Sequence, residues 1–311
     1  MILPLPLPSD RWRDGESCIE ILPPPDFNYR ECLAFMARSG LECLHQVRGA
    51  ELYKLLEISG ERVVIRVSCP SQVLRVEFPL QTPEATTRKG IADYLWELFD
   101  LGRDLSLFYQ LAEQDDLLRE VVQKYRGLRI VGMPDLFEVL TWAIIGQQIN
   151  LAFAYTLKRR FVERFGISLP YKDSTFWLYP APEAIAGINI TELTGLQFTG
   201  KKAEYVIGIA KAMAEGELSK AVLRQTDSFE EVRSRLIGLK GVGDWTADYV
   251  LMKCFRQTSA CPVADVGLHN AIKKQLGLAV KPTLAEVREM SRAWSGWEAY
   301  ATFYLWRSLY E

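Results

Sequence analysis

Histidine is nearly missing from this 311-residue chain: only His45 and His269 occur. A His-rich metal centre is thereby excluded. Cysteine is sparse too. The six cysteines, at 18, 32, 43, 69, 254 and 261, include no CxxC pair, and no four stand at a zinc or iron–sulfur spacing. Reduced, mostly buried thiols are expected, the usual habit of free cysteine. No window approaches the roughly 18 uninterrupted apolar residues of a membrane span. The opening MILPLPLPSDRWRDGES has no basic n-region, and its prolines interrupt any apolar stretch. Neither a signal peptide nor a membrane anchor is expected there. No repeat or low-complexity tract occurs. These absences lead to the expectation of a cytoplasmic protein with no membrane partner.

What is present suits a globular protein: 49% hydrophobic and 24% charged residues, in a chain long enough for two or three domains. A net charge of −2 argues against a surface coated in basic residues. The distribution is uneven. Residues 1–100 carry 11 Lys/Arg against 15 Asp/Glu, or −4, whereas residues 201–281 carry 13 against 9, or +4. A basic region in a mildly acidic chain suits a focused anion site, nucleic acid included, although a charged face is most often simply solvated.

Three β-leaning runs lie early: Ser17–Leu22, Arg62–Val67 and Gln72–Phe78. The last alternates apolar and polar residues, as a half-exposed antiparallel strand does. Tyr29–Arg38 reads as a helix between them. From about residue 84 the spacing becomes helical, with Ile91, Tyr94, Leu95, Leu98 and Phe99 on one face. Glycine and proline then divide the remainder into helices of ordinary length. The expected fold is α+β: a small N-terminal antiparallel sheet domain, residues 1–105, followed by a mostly α-helical body, residues 106–311.

Within that body stands Leu239-Lys240-Gly241-Val242-Gly243-Asp244-Trp245-Thr246-Ala247, between expected helices Phe229–Leu236 and Asp244–Phe255. So short a link needs positive φ or close backbone approach, and glycine permits both. Outward amides beside a helix N-terminus form a ready anion site, with Lys240 as a supporting charge. The alternative is a plain αα-hairpin with a glycine C-cap. About twenty residues on, Cys261-Pro262-Val263-Ala264-Asp265-Val266-Gly267-Leu268 puts an acid before a helix, Leu268–Leu276. An Asp there serves as N-cap at the least.

Taken together, these two segments resemble the helix–hairpin–helix and catalytic-aspartate segments of the helix–hairpin–helix (HhH-GPD) DNA glycosylase superfamily. Ile144-Ile145-Gly146-Gln147-Gln148-Ile149 looks like that family's "I-L-G-Q" helix motif. Trp294-Ser295-Gly296-Trp297-Glu298-Ala299-Tyr300 looks like the C-terminal tryptophan motif of its AlkA-type 3-methyladenine DNA glycosylase II branch. The resemblance covers most of the chain, with the glycosylase core at about 134–311 and the hairpin at 239–243.

The resemblance implies a base excision repair enzyme that flips a damaged nucleotide out of double-stranded DNA and hydrolyses its N-glycosidic bond. Asp265 would be catalytic, stabilising an oxocarbenium-like sugar and orienting water. Gly241, Gly243 and Lys240 would hold backbone phosphate. Gln148, or its neighbour Gln147, would plug the space left by the base; the best-known AlkA-type pattern has an apolar Leu at Gln148. In bifunctional members the lyase lysine lies two residues after the second hairpin glycine, and here that position is Trp245. An indole forms no Schiff base, so a monofunctional enzyme is expected. Trp245, Tyr249 and Trp297 would wall a pocket for cationic 3-methyladenine- or 7-methylguanine-type bases through cation–π contact. Core packing is the common alternative for each ring, and is expected for Tyr300 and Trp306. Val266 replaces the family's aromatic residue after the aspartate, and Glu298 a basic residue. No cofactor is required, although the family's hairpin often binds a structural monovalent cation, here on the Leu239 and Val242 carbonyls. A monomer, nucleoid-associated through DNA, is expected. The rivals are a non-catalytic DNA-binding module and a bifunctional oxidised-purine glycosylase/lyase.

Overall fold

The computed structural model describes residues 6–15, 17–226 and 228–310. Its sheet is built as period-two patterning dictates. In Leu74-Arg75-Val76-Glu77, Leu74 and Val76 are buried while Arg75 is exposed. Six strands take part: β1 (Trp12–Asp14), β2 (Cys18–Ile21), β3 (His45–Arg48), β4 (Glu51–Ile58), β5 (Glu61–Ser68) and β6 (Leu74–Glu77). They pair antiparallel in the order β1-β2-β6-β5-β4-β3. β4 and β5 meet at Ser59-Gly60, both at positive φ, the conformation that matches the twist of a tight hairpin.

The helix Tyr29–Met36 lies against this sheet, with Tyr29 Oη donating to the Val67 carbonyl at 2.8 Å. Its apolar side continues into the helical body. Tyr29 meets Phe99 with ring centroids 5.8 Å apart, and Phe35 meets Phe303 of the last helix, Glu298–Arg307, at 4.4 Å. One core thus runs across the boundary at residue 105. The body is mostly helical. It also contains a two-stranded sheet, β7 (Ile167–Tyr171) and β8 (Ser174–Leu178), where helical spacing alone gave no strand. Its Phe176 packs with Tyr53, Leu55 and Val64 on the outer face of the large sheet.

A buried ion cluster fastens the two parts. Lys158 Nζ lies 3.2 Å from Glu42 and 3.4 Å from Glu138. Burial opposes the charge on Glu42, but Lys158 and His45 outweigh it and hold its carboxyl well below the usual range. The thiols are less hidden than their chemistry suggested: Cys32 and Cys254 are buried, while Cys18, Cys43, Cys69 and Cys261 are half-buried. Among the described residues, no helix is long and apolar enough to cross a membrane.

Candidate active site

The hairpin forms between helices Phe229–Ile237 and Asp244–Cys254. Only one of its glycines needs the left-handed region. Gly241 has φ +91, and a Cβ there would lie 2.2 Å from the Tyr205 ring. Gly243 has φ −101, is exposed, and would present a Cβ to open space. The second helix starts at Asp244 without a side-chain cap, so its first amides stay available. Asp244 would repel an anion at this end, but Arg233 holds it at 2.7 Å and Asp248 at 2.7 Å. Lys240 is exposed, 3.5 Å from Glu204.

The two glutamines separate. The helix Leu136–Gly146 ends beside the hairpin, and Gln147 turns inward, its Nε2 donating to Gly241 O at 2.9 Å and to Thr246 Oγ1 at 3.1 Å. Gln148 is exposed with φ +56, a strained conformation for a residue with a side chain. Lys202 Nζ pins this loop from below, donating to the Ile145 carbonyl at 2.7 Å and the Gln147 carbonyl at 2.8 Å. Gln147 therefore braces the hairpin, and Gln148 is the one that projects.

Asp265 caps the helix Val266–Gln275, its Oδ2 accepting the Leu268 amide at 2.7 Å. Two indoles grip the same carboxylate. Trp245 Nε1–H donates to Oδ1 at 3.1 Å, and Trp306 Nε1–H donates to Oδ2 at 2.8 Å. Gly267 makes this approach possible, because a Cβ on it would lie 2.8 Å from Oδ2 and 3.2 Å from the Trp306 nitrogen. Burial pushes the Asp265 carboxyl above its ordinary range, against the downward pull of these donors. Such a carboxylate is held in one orientation and is more basic than a solvated one.

Tyr249 lies one turn after Trp245, and their rings stack at 5.5 Å; Tyr249 meets Trp306 at 6.0 Å. Trp245, Tyr249 and Trp306 so form an aromatic enclosure around Asp265. Trp297 does not belong to it. It packs on Phe108 at 5.9 Å and Tyr300 at 5.8 Å. It starts the last helix and Trp306 ends it, nine residues or roughly 13 Å along the axis. The expectation that Trp297 walls the pocket is corrected accordingly, whereas Trp306 is buried in the core as expected and in addition donates to Asp265. Tyr300 is a core residue, fully buried with its hydroxyl on Asp100 at 2.7 Å. A buried indole N–H usually finds an acceptor, which was the available signal for Trp306. Periodicity alone does not say which end of the last helix meets Asp265. Val266, beside the carboxylate, is 63% exposed and leaves that side of the enclosure open.

A family model described as "HhH-GPD superfamily base excision DNA repair protein" matches residues 141–296, and one described as "8-oxoguanine DNA glycosylase, N-terminal domain" matches residues 37–140. The chain is 41% identical over 302 residues to a "DNA-3-methyladenine glycosylase" of Bacillus subtilis, covering 96% of this chain and 99% of that one. It is 29% identical over 181 residues to "DNA-3-methyladenine glycosylase 2" of Escherichia coli, covering 58% and 60%. Among solved structures, a "3-methyladenine dna-glycosylase" from Archaeoglobus fulgidus superposes with TM-score 0.79 at 24% identity, covering 92% of this chain and 97% of that one. An "8-oxoguanine glycosylase/lyase" of Clostridium acetobutylicum in complex with DNA superposes with TM-score 0.73 at 18% identity, covering 96% of each. These likenesses, at such identities, concern the fold.

Proposed function

The chain belongs to the HhH-GPD superfamily of base excision DNA repair proteins, and we propose that it is a monofunctional DNA glycosylase acting on alkylated bases. The observation that supports this most is the Asp265 carboxylate, held by two indole N–H groups and a helix amide inside an aromatic enclosure. Backbone amides at Gly241 and Gly243, with Lys240, hold the phosphates, while Gln148 enters the space the flipped base leaves. The base stacks between Trp245, Tyr249 and Trp306, whose faces attract a formally cationic purine such as 3-methyladenine or 7-methylguanine, worth about 0.5–2 kcal/mol per good face.

The chemistry balances as a hydrolysis. The C1′–N bond breaks with its electron pair leaving on the base, so a cationic base departs neutral. Positive charge develops on the sugar, where Asp265 faces it. Water then bonds to C1′ and its proton passes to the Asp265 carboxylate, whose raised basicity suits it to the task. No amine stands where a Schiff base would form. Trp245 occupies that position, Lys240 precedes the glycines, and Lys253 lies eight residues further on, about 12 Å along the helix. Incubation with methylated duplex DNA should leave intact strands that break only on alkali treatment. A high yield of borohydride-trapped protein–DNA adduct contradicts this and favours the lyase reading.

A monovalent cation fits the hairpin as a structural group. The Leu239 carbonyl accepts the Val242 amide at 3.0 Å, which leaves its second lone pair for an ion shared with the Val242 carbonyl. A single chain supplies every group in this scheme, so a monomer suffices.

Two consequences can be measured at once. Gly241→Ala should destabilise the fold by about 1–3 kcal/mol through backbone strain and the clash with Tyr205, whereas Gly243→Ala should leave the melting temperature unchanged and weaken DNA binding. Equal melting temperatures for the two variants would refute this division of roles. Trp306→Phe keeps the ring and removes the N–H. A hydrogen bond to a charged group contributes about 1.5–3 kcal/mol, so base release should fall by about one to two orders of magnitude. Unchanged release would return Trp306 to a packing role.

A further inference from the structure

The strained backbone of Gln148 is held by a residue outside its own loop. Gln148 is the second residue after the helix Leu136–Gly146, where helices commonly end in a left-handed glycine. Glycine would take φ +56 without strain, whereas glutamine does so only where its surroundings hold it. They hold it from both sides. Downstream, Asn150 Oδ1 accepts the Phe153 amide at 2.9 Å and fixes the start of the helix Leu151–Phe165. Upstream, Lys202 Nζ donates to the Ile145 and Gln147 carbonyls, at the helix end where carbonyls lack intrahelical partners and the dipole favours a cation. Lys202 is 8% exposed, and no carboxylate among the described residues pairs with it. Burying an ammonium without a counter-ion opposes folding, so a lysine is a demanding way to close a helix end. The same helix, Gly200–Ala214, carries Tyr205 three residues on, and that ring packs against Gly241 of the hairpin. One helix face therefore supports both the loop that projects Gln148 and the hairpin. Gln147 joins the two, through its donation to Gly241 O at 2.9 Å.

We propose that Lys202 is a positioning residue for base flipping: by holding the Ile145 and Gln147 carbonyls it keeps the Gln148 side chain projecting, at a fixed place beside the hairpin, before DNA arrives. The inference rests on the glycosylase reading above, in which Gln148 fills the space the base leaves. Its physical basis is preorganisation. A loop free to relax from the strained conformation projects Gln148 in only a fraction of the molecules, and the flipping equilibrium is reduced by that fraction. Lys202 meets neither base nor sugar, and it acts through the backbone of Gln147 and Gln148. Once a base is outside the stack, hydrolysis at Asp265 proceeds without it. The effect of Lys202 is therefore confined to nucleotides that must be pulled out of a pair.

The test compares single-turnover release of 7-methylguanine by the full chain, at saturating protein, from two duplexes. In one the lesion is paired with cytosine; in the other it forms a single-nucleotide bulge and has no partner to leave. Lys202→Met keeps an unbranched stem and removes the donor. It should lower release from the paired duplex by about tenfold or more, the population change that relaxing one strained residue brings, and leave release from the bulge within about threefold of wild type. Lys202→Arg, which can still donate to both carbonyls, should recover much of the paired activity. Gln148→Ala should show the same preference for the bulge, and adding Lys202→Met to it should lower paired release by less than about twofold more, because the two residues act as one unit. Equal loss on the two duplexes by Lys202→Met would leave it a structural role only and overturns the proposal. So does no loss on the paired duplex, or an undiminished further loss in the Gln148→Ala background. Wild-type protein that releases 7-methylguanine from neither duplex removes the glycosylase reading and the proposal with it.

Discussion

Asp265→Asn is expected to lower base release by about 10²–10⁴-fold, the range that a positioned acid–base group contributes, while the protein stays folded and bound to DNA. The geometry explains why the two effects separate. Asn can keep its oxygen at the Oδ2 position, still accepting the Leu268 amide at 2.7 Å and the Trp306 N–H at 2.8 Å, so the helix cap survives. Its amide then meets the Trp245 N–H, donor against donor, a local loss of about 1 kcal/mol. What disappears is the negative charge facing the sugar. Base release within threefold of wild type would remove Asp265 from the chemistry.

The same residue sets a pH limb. Burial raises the Asp265 carboxyl above its ordinary value of 3.8, and in the proposed mechanism only the ionised form acts. Release should therefore fall, as pH drops, at a higher pH than a solvated aspartate would give. The stability sign is opposite to that of a salt-bridged acid. A folded pKa raised above the unfolded one means that ionised Asp265 costs stability at neutral pH and costs nothing below the unfolded pKa. Asp265→Asn should thus be no less stable at pH 7 than its lost hydrogen bond implies.

The largest expected effect on stability lies elsewhere. Lys158 is buried, with its ammonium 3.2 Å from Glu42 and 3.4 Å from Glu138, and it is one of the links between the sheet domain and the body. Lys158→Met takes the ammonium from two largely enclosed carboxylates, 10% and 15% exposed, which costs about 3–5 kcal/mol. Glu42 has its folded pKa held below its unfolded value, so its contribution is present above that unfolded value and is lost as pH falls through the folded one. In the variant Glu42 protonates more readily, and the difference from wild type should shrink as pH falls from 7 towards the ordinary glutamate range. Urea unfolding at several pH values measures this. A destabilisation under about 1 kcal/mol at pH 7 would show the cluster to be dispensable.

Much of the site was legible because its residues act through local backbone demands. Gly241 was legible as a positive-φ turn and Asp265 as an acid opening a helix, each from its neighbours in sequence, whereas Trp245 was marked only by the resemblance, as the residue standing where a lyase lysine lies. The two glutamines could not be told apart, since their difference arises from contacts with Gly241 and Thr246 nearly a hundred residues away. Trp306 was hidden for the same reason, and Trp297 drew attention only because its local motif is conspicuous. Of the fold, the alternating strands were visible. The β7–β8 hairpin was not, because Pro170 interrupts its pattern and its turn places Lys172, rather than glycine or asparagine, at positive φ.

The central claim is that this chain cuts the bond between an alkylated base and its sugar by hydrolysis. Chromatography of the small molecules released from dimethyl-sulfate-treated duplex DNA by the purified protein tests it most directly. Free 3-methyladenine or 7-methylguanine should appear with wild type, above the spontaneous rate, and should fall to near that rate with Asp265→Asn. Tight binding to the same DNA with no free base released would contradict the account and leave a protein that grips damaged DNA without acting on it.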